Sequence, residues 1–240
     1  MTEDKDSPNQ PTAGRSPVPA SVIAIDGPVA SGKTAVGLAL SRELGYRLVD
    51  TGMMYRAVTW LALRRGIAVL AEDAVAALAQ DAKIELGPPN EKGNPTLSID
   101  GVDITDELRS PDVDRNVSFV SRILAVRQAM VIRQRELAEE GRLIMLGRDI
   151  GTVVLPGAPV KIYLDASAKE RARRRHLELR AAGVDRPESE IREELEQRDA
   201  MDLHRAVSPL MAADDALTID TDHLSLAEVI DRVRAAATSR

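Results

Sequence analysis

The 240-residue sequence contains no cysteine, and its three histidines, His176, His204 and His223, stand far apart. A disulfide framework, a thiolate metal site and a cysteine nucleophile are thereby excluded, and the histidines have no metal-ligand spacing. Any metal would be a hard cation held by oxygens and phosphates. No apolar run approaches the roughly 20 residues that cross a bilayer, and the amino terminus lacks a basic segment followed by an apolar one, so the reading is a cytoplasmic protein with no membrane partner. Excess positive charge is missing too. The 32 Lys and Arg against 38 Asp and Glu leave a net charge of −6, which argues against nonspecific binding of polymeric nucleic acid. Within the basic residues lysine is scarce, six against 26 arginines. Arginine's planar fork suits bidentate contact with phosphate, but genomic base composition produces the same bias, so only position can decide.

What is present, 44% apolar and 29% charged residues, suffices for one sizeable core with at most a small satellite. Residues 1–20 are polar and proline-rich and read as a disordered tail or a cloning remnant. From residue 21 to 240 the pattern is that of one α/β domain. "SVIAID" predicts a buried strand, Lys33 to Leu44 a helix closed by Gly45, "RLVD" (47–50) a strand, and Met53 to Arg65 a helix. Strand and helix in alternation imply a central parallel sheet flanked by helices. Residues 83–109 change character: "KIEL" and "TLSID" alternate, with a hairpin signal at Asp100–Gly101, and predict a small antiparallel β insert. Helical patterns return from about Asp112 to Glu140, then "RLIML" and "VKIYLD" as buried strands. Residues 168–200 are helical and charged, "ALTID" (216–220) is a last strand, and a closing helix starts near Ser225, whose spacing to Glu228 is that of a capping box.

The stretch Gly27, Pro28, Val29, Ala30, Ser31, Gly32, Lys33, Thr34, followed by Ala35, fits G-x-x-x-x-G-K-[ST] between a predicted strand and a predicted helix. Glycines let backbone N–H groups turn inward on phosphate oxygens, the helix N-terminus adds partial positive charge, Lys33 reaches the terminal phosphates, and the Thr34 hydroxyl can bind magnesium. This predicts a nucleoside triphosphate site of the P-loop type. A GTPase would carry a base-reading Asn-Lys motif, which is absent, and a motor would need more chain. A compact kinase remains, in which an acceptor binds opposite the loop under a mobile lid. "DTGMMYR" (50–56) and "GRDIGTVV" (147–154) both begin at strand ends, where ligands bind in such sheets.

Together "IDGPVASGKT", "DTGMMYR", "GRDIGTVVLPGAPVKIYLDAS" and "RDAMDLHRAVSPL" resemble bacterial cytidylate kinases, from about Val22 to the last helix, and the 83–109 insert resembles that family's extra three-stranded unit. The resemblance implies a P-loop kinase fold with a helical lid at about 170–205, transfer of the γ-phosphoryl group of ATP to CMP or dCMP with magnesium, and a monomer. The alternatives are a P-loop kinase for UMP, AMP or a metabolite, and a nucleotide-binding regulator with weakened catalysis. The same resemblance assigns the site. Thr51 belongs to the acceptor site; Arg56, Arg148 and Arg205 bind the acceptor's phosphate; Arg198 and Asp202 hold its ribose; Ser118, Arg127 and Asp149 read its base. Chemically, Asp149 can accept from the cytosine amino group, whereas uracil would turn an oxygen toward the carboxylate. The other role open to Asp149 is a structural ion pair with Arg148.

Residues 171 to 205 hold nine arginines and nine acidic residues, and most of them read as a solvated, salt-bridged helix pair broken near Gly183 and Pro187. The family implies that a few, with Arg171 and Arg174 the best candidates, swing over ATP during transfer. One position departs from the family: Leu146 stands before "GRDIG" where an acidic residue is usual. The expectation is weaker magnesium binding, with Asp26 or Asp50 substituting for the carboxylate as one alternative and a Leu146 packed in the core as the other.

Overall fold

The computed structural model describes residues 21–91 and 93–238, so the tail expected over residues 1–20 lies outside the described residues. Five strands, β1 (Val22–Asp26), β2 (Arg47–Asp50), β6 (Leu143–Gly147), β7 (Val160–Asp165) and β8 (Leu217–Asp220), form a parallel sheet in the order β2-β6-β1-β7-β8. Every residue of β1 and β6 is buried, because helices cover both faces. Alternation within each strand decides which face a side chain joins. Ile23, Ile25, Leu48, Ile144, Leu146, Ile162 and Leu164 pack under α1 (Lys33–Leu44) and α8 (Leu226–Thr238). Val22, Ala24, Val49, Leu143 and Met145 face Val131 and Ala138 of α5 (Leu124–Glu139).

A second core sits beside the sheet. Helices α2 (Thr51–Arg64), α3 (Glu72–Asp81) and α4 (Pro111–Val120) pack with α5 on Leu97 and Ile99 of an antiparallel sheet, β3 (Ile84–Gly87), β4 (Thr96–Ile99) and β5 (Val102–Asp103). The β4–β5 turn has positive φ at both Asp100 (51°) and Gly101 (81°), as the Asp-Gly pair demands. The charged helices α6 (Ala168–Ala181) and α7 (Glu188–Leu203) share a small core of Ala172, Ile191 and Leu195, against which Val29 of the P-loop also packs.

Some boundaries differ from expectation. The helical stretch from 112 to 140 divides into α4 and α5 at residues 121–123, α3 carries no capping side chain and went unpredicted, and Ile150–Val154 form a π-helical turn. That turn has a local cause: the Asp26 carboxylate accepts the backbone N–H groups of Ile150 (2.8 Å) and Gly151 (2.7 Å). The capping box is formed, with Ser225 N–H donating to Glu228 Oε2 at 2.8 Å and Glu228 N–H to Ser225 Oγ at 3.3 Å.

Candidate active site

The loop between β1 and α1 presents backbone rather than side chains. Gly27 has φ 146°, and a Cβ there would lie 2.1 Å from the Leu164 carbonyl oxygen, so no other residue fits. Ala30 (φ 61°) and Gly32 (φ 98°) are also left-handed, which is how successive N–H groups come to share one concavity. No side chain caps α1, and its first turn carries no acidic residue, so its N-terminal donors remain available to an anion. Lys33 Nζ donates to the carbonyls of Gly27 (2.8 Å) and Pro28 (2.6 Å). Burial pushes its pKa down, and Arg148 adds to the effect. Thr34 is half-buried beside it.

Next to this loop lies a narrow cleft of about 60 Å³, open to solvent. All nine residues assigned to the acceptor line it: Thr51 and Arg56 from α2, Ser118 from α4, Arg127 from α5, Arg148 and Asp149 after β6, Arg198 and Asp202 from α7, and Arg205 beyond it. A larger cleft between Ser41–Leu48 and Leu86–Pro95 lies at the other end of β2 and holds none of these groups.

Within the cleft four of the five guanidiniums have a protein partner, whereas the buried Nε of Arg198 has none. Arg56 donates to the Leu108 carbonyl (2.8 Å) and pairs with Asp114 (2.6 Å). The Arg148–Asp149 pair weighed from the sequence is not formed. Arg148 Nε donates to Asp202 at 3.1 Å, and Asp149 pairs instead with Arg127, with Arg205 3.9 Å away. Asp149 and Arg127 are 4% and 2% exposed, so this is a desolvated acceptor–donor pair rather than a surface bridge. Burial, helped by the charges of Arg148 and Arg56, lowers the Arg198 pKa to about 10. Crowded, partly desolvated arginines favour an anion among them. The Thr51 hydroxyl donates to the Leu146 carbonyl at 2.8 Å and has only acceptor capacity left.

The two lid arginines already stand beside the P-loop. Arg171 donates to the carbonyls of Ala166 (2.9 Å) and Val29 (3.2 Å) and pairs with Asp199. Arg174 donates to Glu170 (2.9 Å), to Thr221 Oγ1 (3.0 Å) and to the Thr221 carbonyl (2.6 Å). Arg173 of α6, Arg192 of α7 and Arg186 in the loop between them make solvent-facing pairs, as expected.

Leu146 is 1% exposed and belongs to the core beneath α1, where a Cβ on Gly37 would approach its methyl groups to 3.0 Å. Of the alternatives for this position, the packed leucine is therefore the one observed. Asp26 spends both oxygens on backbone donors, and Asp50 Oδ1 accepts Gly52 N–H at 3.0 Å. Among the described residues no cluster of three His, Cys, Asp or Glu could hold a metal ion, and no helix is long and apolar enough to cross a membrane.

The family model for cytidylate kinase matches residues 23–239. The chain belongs to the cytidylate kinase family. A cytidylate kinase of Anoxybacillus flavithermus is 47% identical over 88% of this chain and 93% of its own, and one of Desulfitobacterium hafniense is 44% identical over 88% and 90%. A third, from a Geobacillus strain, is 46% identical over 88% and 93%. With the family shown, the fold is that of a P-loop kinase and the protein is a phosphotransferase for which ATP is the implied donor.

Three groups of the site escaped the sequence reading. Asp114 holds Arg56, while Tyr55 and Gln134 lie behind Arg127. Gln134 had a visible signal, since it sits seven residues from Arg127 on the buried face of α5. Asp114 had none, because an acidic residue in a first helical turn is ordinary.

Proposed function

We propose that this protein transfers the γ-phosphoryl group of ATP to CMP and dCMP, giving CDP or dCDP and ADP. The observation that carries the reading is the convergence of nine side chains from separate segments on one cleft beside the P-loop, with the buried Arg127–Asp149 pair inside it. The left-handed loop and open α1 N-terminus suit a triphosphate, and the half-buried Thr34 hydroxyl is an oxygen donor of the kind magnesium takes. Thr34 would hold that ion, whose chemistry is to neutralise charge on the phosphates.

The remaining work falls to the chain's own residues. Lys33 exchanges its loop carbonyls for the β- and γ-phosphates. Arg56, Arg148 and Arg205 receive the acceptor's phosphate, and Arg198 and Asp202 orient its ribose. A phosphate oxygen of the acceptor forms the new bond to the γ-phosphorus as the bridging oxygen leaves with ADP, so no general base is required. Arg171 and Arg174 spread the charge of the moving group from the lid side. Asp149 accepts from the cytosine amino group, while Ser118 and Arg127 serve the ring acceptors. Every group comes from one chain, so a monomer in the cytoplasm suffices. A coupled assay with ATP against CMP, dCMP, UMP and AMP tests the reading: turnover is expected with the cytosine nucleotides, and preferred turnover of UMP or AMP, or none with any acceptor, overturns it.

A further inference from the structure

The mechanism leaves unused two buried polar side chains, Tyr55 and Gln134, that stand in a cluster behind the base-reading pair. Among the described residues nine buried side-chain atoms lack a hydrogen-bond partner, and five of them are gathered here: Tyr55 Oη, Arg127 Nε, both amide atoms of Gln134, and Arg205 Nη2. Buried polar atoms are nearly always paired, so such a concentration calls for an explanation other than stability. Gln134 is 1% exposed, on the same face of α5 as Arg127, where an apolar residue would cost nothing. The Tyr55 hydroxyl lies beside its amide without the geometry of a formed hydrogen bond.

Arg127 is constrained at both terminal nitrogens and at one face. Its Nη1 donates to the Ser121 carbonyl at 3.1 Å, its Nη2 pairs with Asp149, and its guanidinium carbon stands 5.3 Å from the centre of the Tyr55 ring. An aromatic face at this distance attracts the cation and fixes the plane in which its donors lie. We propose that Tyr55 and Gln134 are positioning residues for acceptor specificity: the Tyr55 ring sets the guanidinium plane of Arg127, and the buried Gln134 amide backs that ring with a polar neighbour for its hydroxyl. Arg127 in turn fixes one oxygen of Asp149, which leaves the other to meet the base. Cytosine and uracil differ at a single exocyclic group, so a small rotation of this pair alters their discrimination more than it alters phosphate binding.

The inference rests on Asp149 and Arg127 reading the base, and the test separates the two claims. The ratio of kcat/KM for CMP to that for UMP is measured for the wild type, Tyr55→Leu, Tyr55→Phe, Gln134→Met, Asp149→Ala and the double variant Tyr55→Leu/Asp149→Ala, with melting curves for each. Loss of the ring in Tyr55→Leu is expected to lower the ratio about tenfold through KM for CMP, with KM for ATP unchanged. Gln134→Met and Tyr55→Phe are expected to lower it about threefold. Gln134→Met should also melt no lower than the wild type, a combination that a merely structural role does not give. In the double variant, Tyr55→Leu should change the ratio no further than Asp149→Ala alone. If Asp149→Ala leaves the ratio intact, the base-reading assignment fails. If it lowers the ratio while Gln134→Met and Tyr55→Phe, both folded, leave it intact, the positioning role alone is overturned.

Discussion

The two sides of the crevice are built by different means. On the donor side nine consecutive residues, Gly27 to Ala35, offer backbone N–H groups and a single cation, Lys33. On the acceptor side nine side chains between Thr51 and Arg205 are brought together by the fold, and five of them are arginines, Arg56, Arg127, Arg148, Arg198 and Arg205. A backbone site has little redundancy in charge but is insensitive to most side-chain changes. A site of convergent side chains has redundant charge but depends on packing at a distance. The boundary runs along β6, whose end carries Arg148 and Asp149, and across it to Asp26 of β1.

The sharpest contrast is at Lys33. Lys33→Ala removes the only side-chain cation of the donor loop, and kcat should fall roughly 10³-fold with the melting temperature kept. Near-normal turnover in a folded variant would contradict the donor assignment. At the boundary, Leu146→Asp places a carboxylate among Gly37, Leu48 and the sheet core, and thermal unfolding should show a loss of about 3–5 kcal/mol. A stably folded variant with a reduced magnesium requirement would instead show that position 146 faces the phosphates.

Asp26 gives a smaller effect that depends on pH. Burial outweighs its two backbone donors and pushes its pKa from 3.8 to about 6. The folded protein then holds this proton longer than the unfolded chain, so stability declines as pH rises from about 4 to about 6 and is level above, by roughly 3 kcal/mol in all. In Asp26→Asn this component of the decline should vanish. Parallel melting profiles for the two proteins over that range would count against the shift. Smallest is Arg56→Ala, since four cleft arginines remain, Arg148 and Arg205 among them: KM for the acceptor should rise about tenfold with kcat for bound substrate little changed. An effect as large as that of Lys33→Ala would deny the redundancy.

The same contrast explains what the sequence disclosed. Gly27 to Thr34 lie in one continuous stretch, so spacing alone located the donor site and its helix. The alternation around Asp100–Gly101 and the Ser225–Glu228 box are equally local, and both are formed. The acceptor side was legible only through resemblance, because Ser118, Arg127 and Arg198 lie on three different helices and nothing in their immediate neighbours marks them. The partners of these groups were least legible. That Asp149 pairs with Arg127 rather than the adjacent Arg148, or that Asp26 shapes the turn at Ile150, depends on how β1, β6 and α5 meet. The helix α3 was overlooked because its alanine-rich run Glu72–Asp81 lacks both a capping side chain and a closing glycine.

The central claim is that the buried Arg127–Asp149 pair reads the acceptor's base. Its most direct test is kcat/KM for CMP and UMP with wild type and Asp149→Ala, at saturating ATP. The account predicts that the preference for CMP shrinks by about 10-fold or more, the worth of a mispaired buried polar group, while UMP turnover changes little. An equal fall for both substrates would contradict it and make Asp149 a structural partner of Arg127.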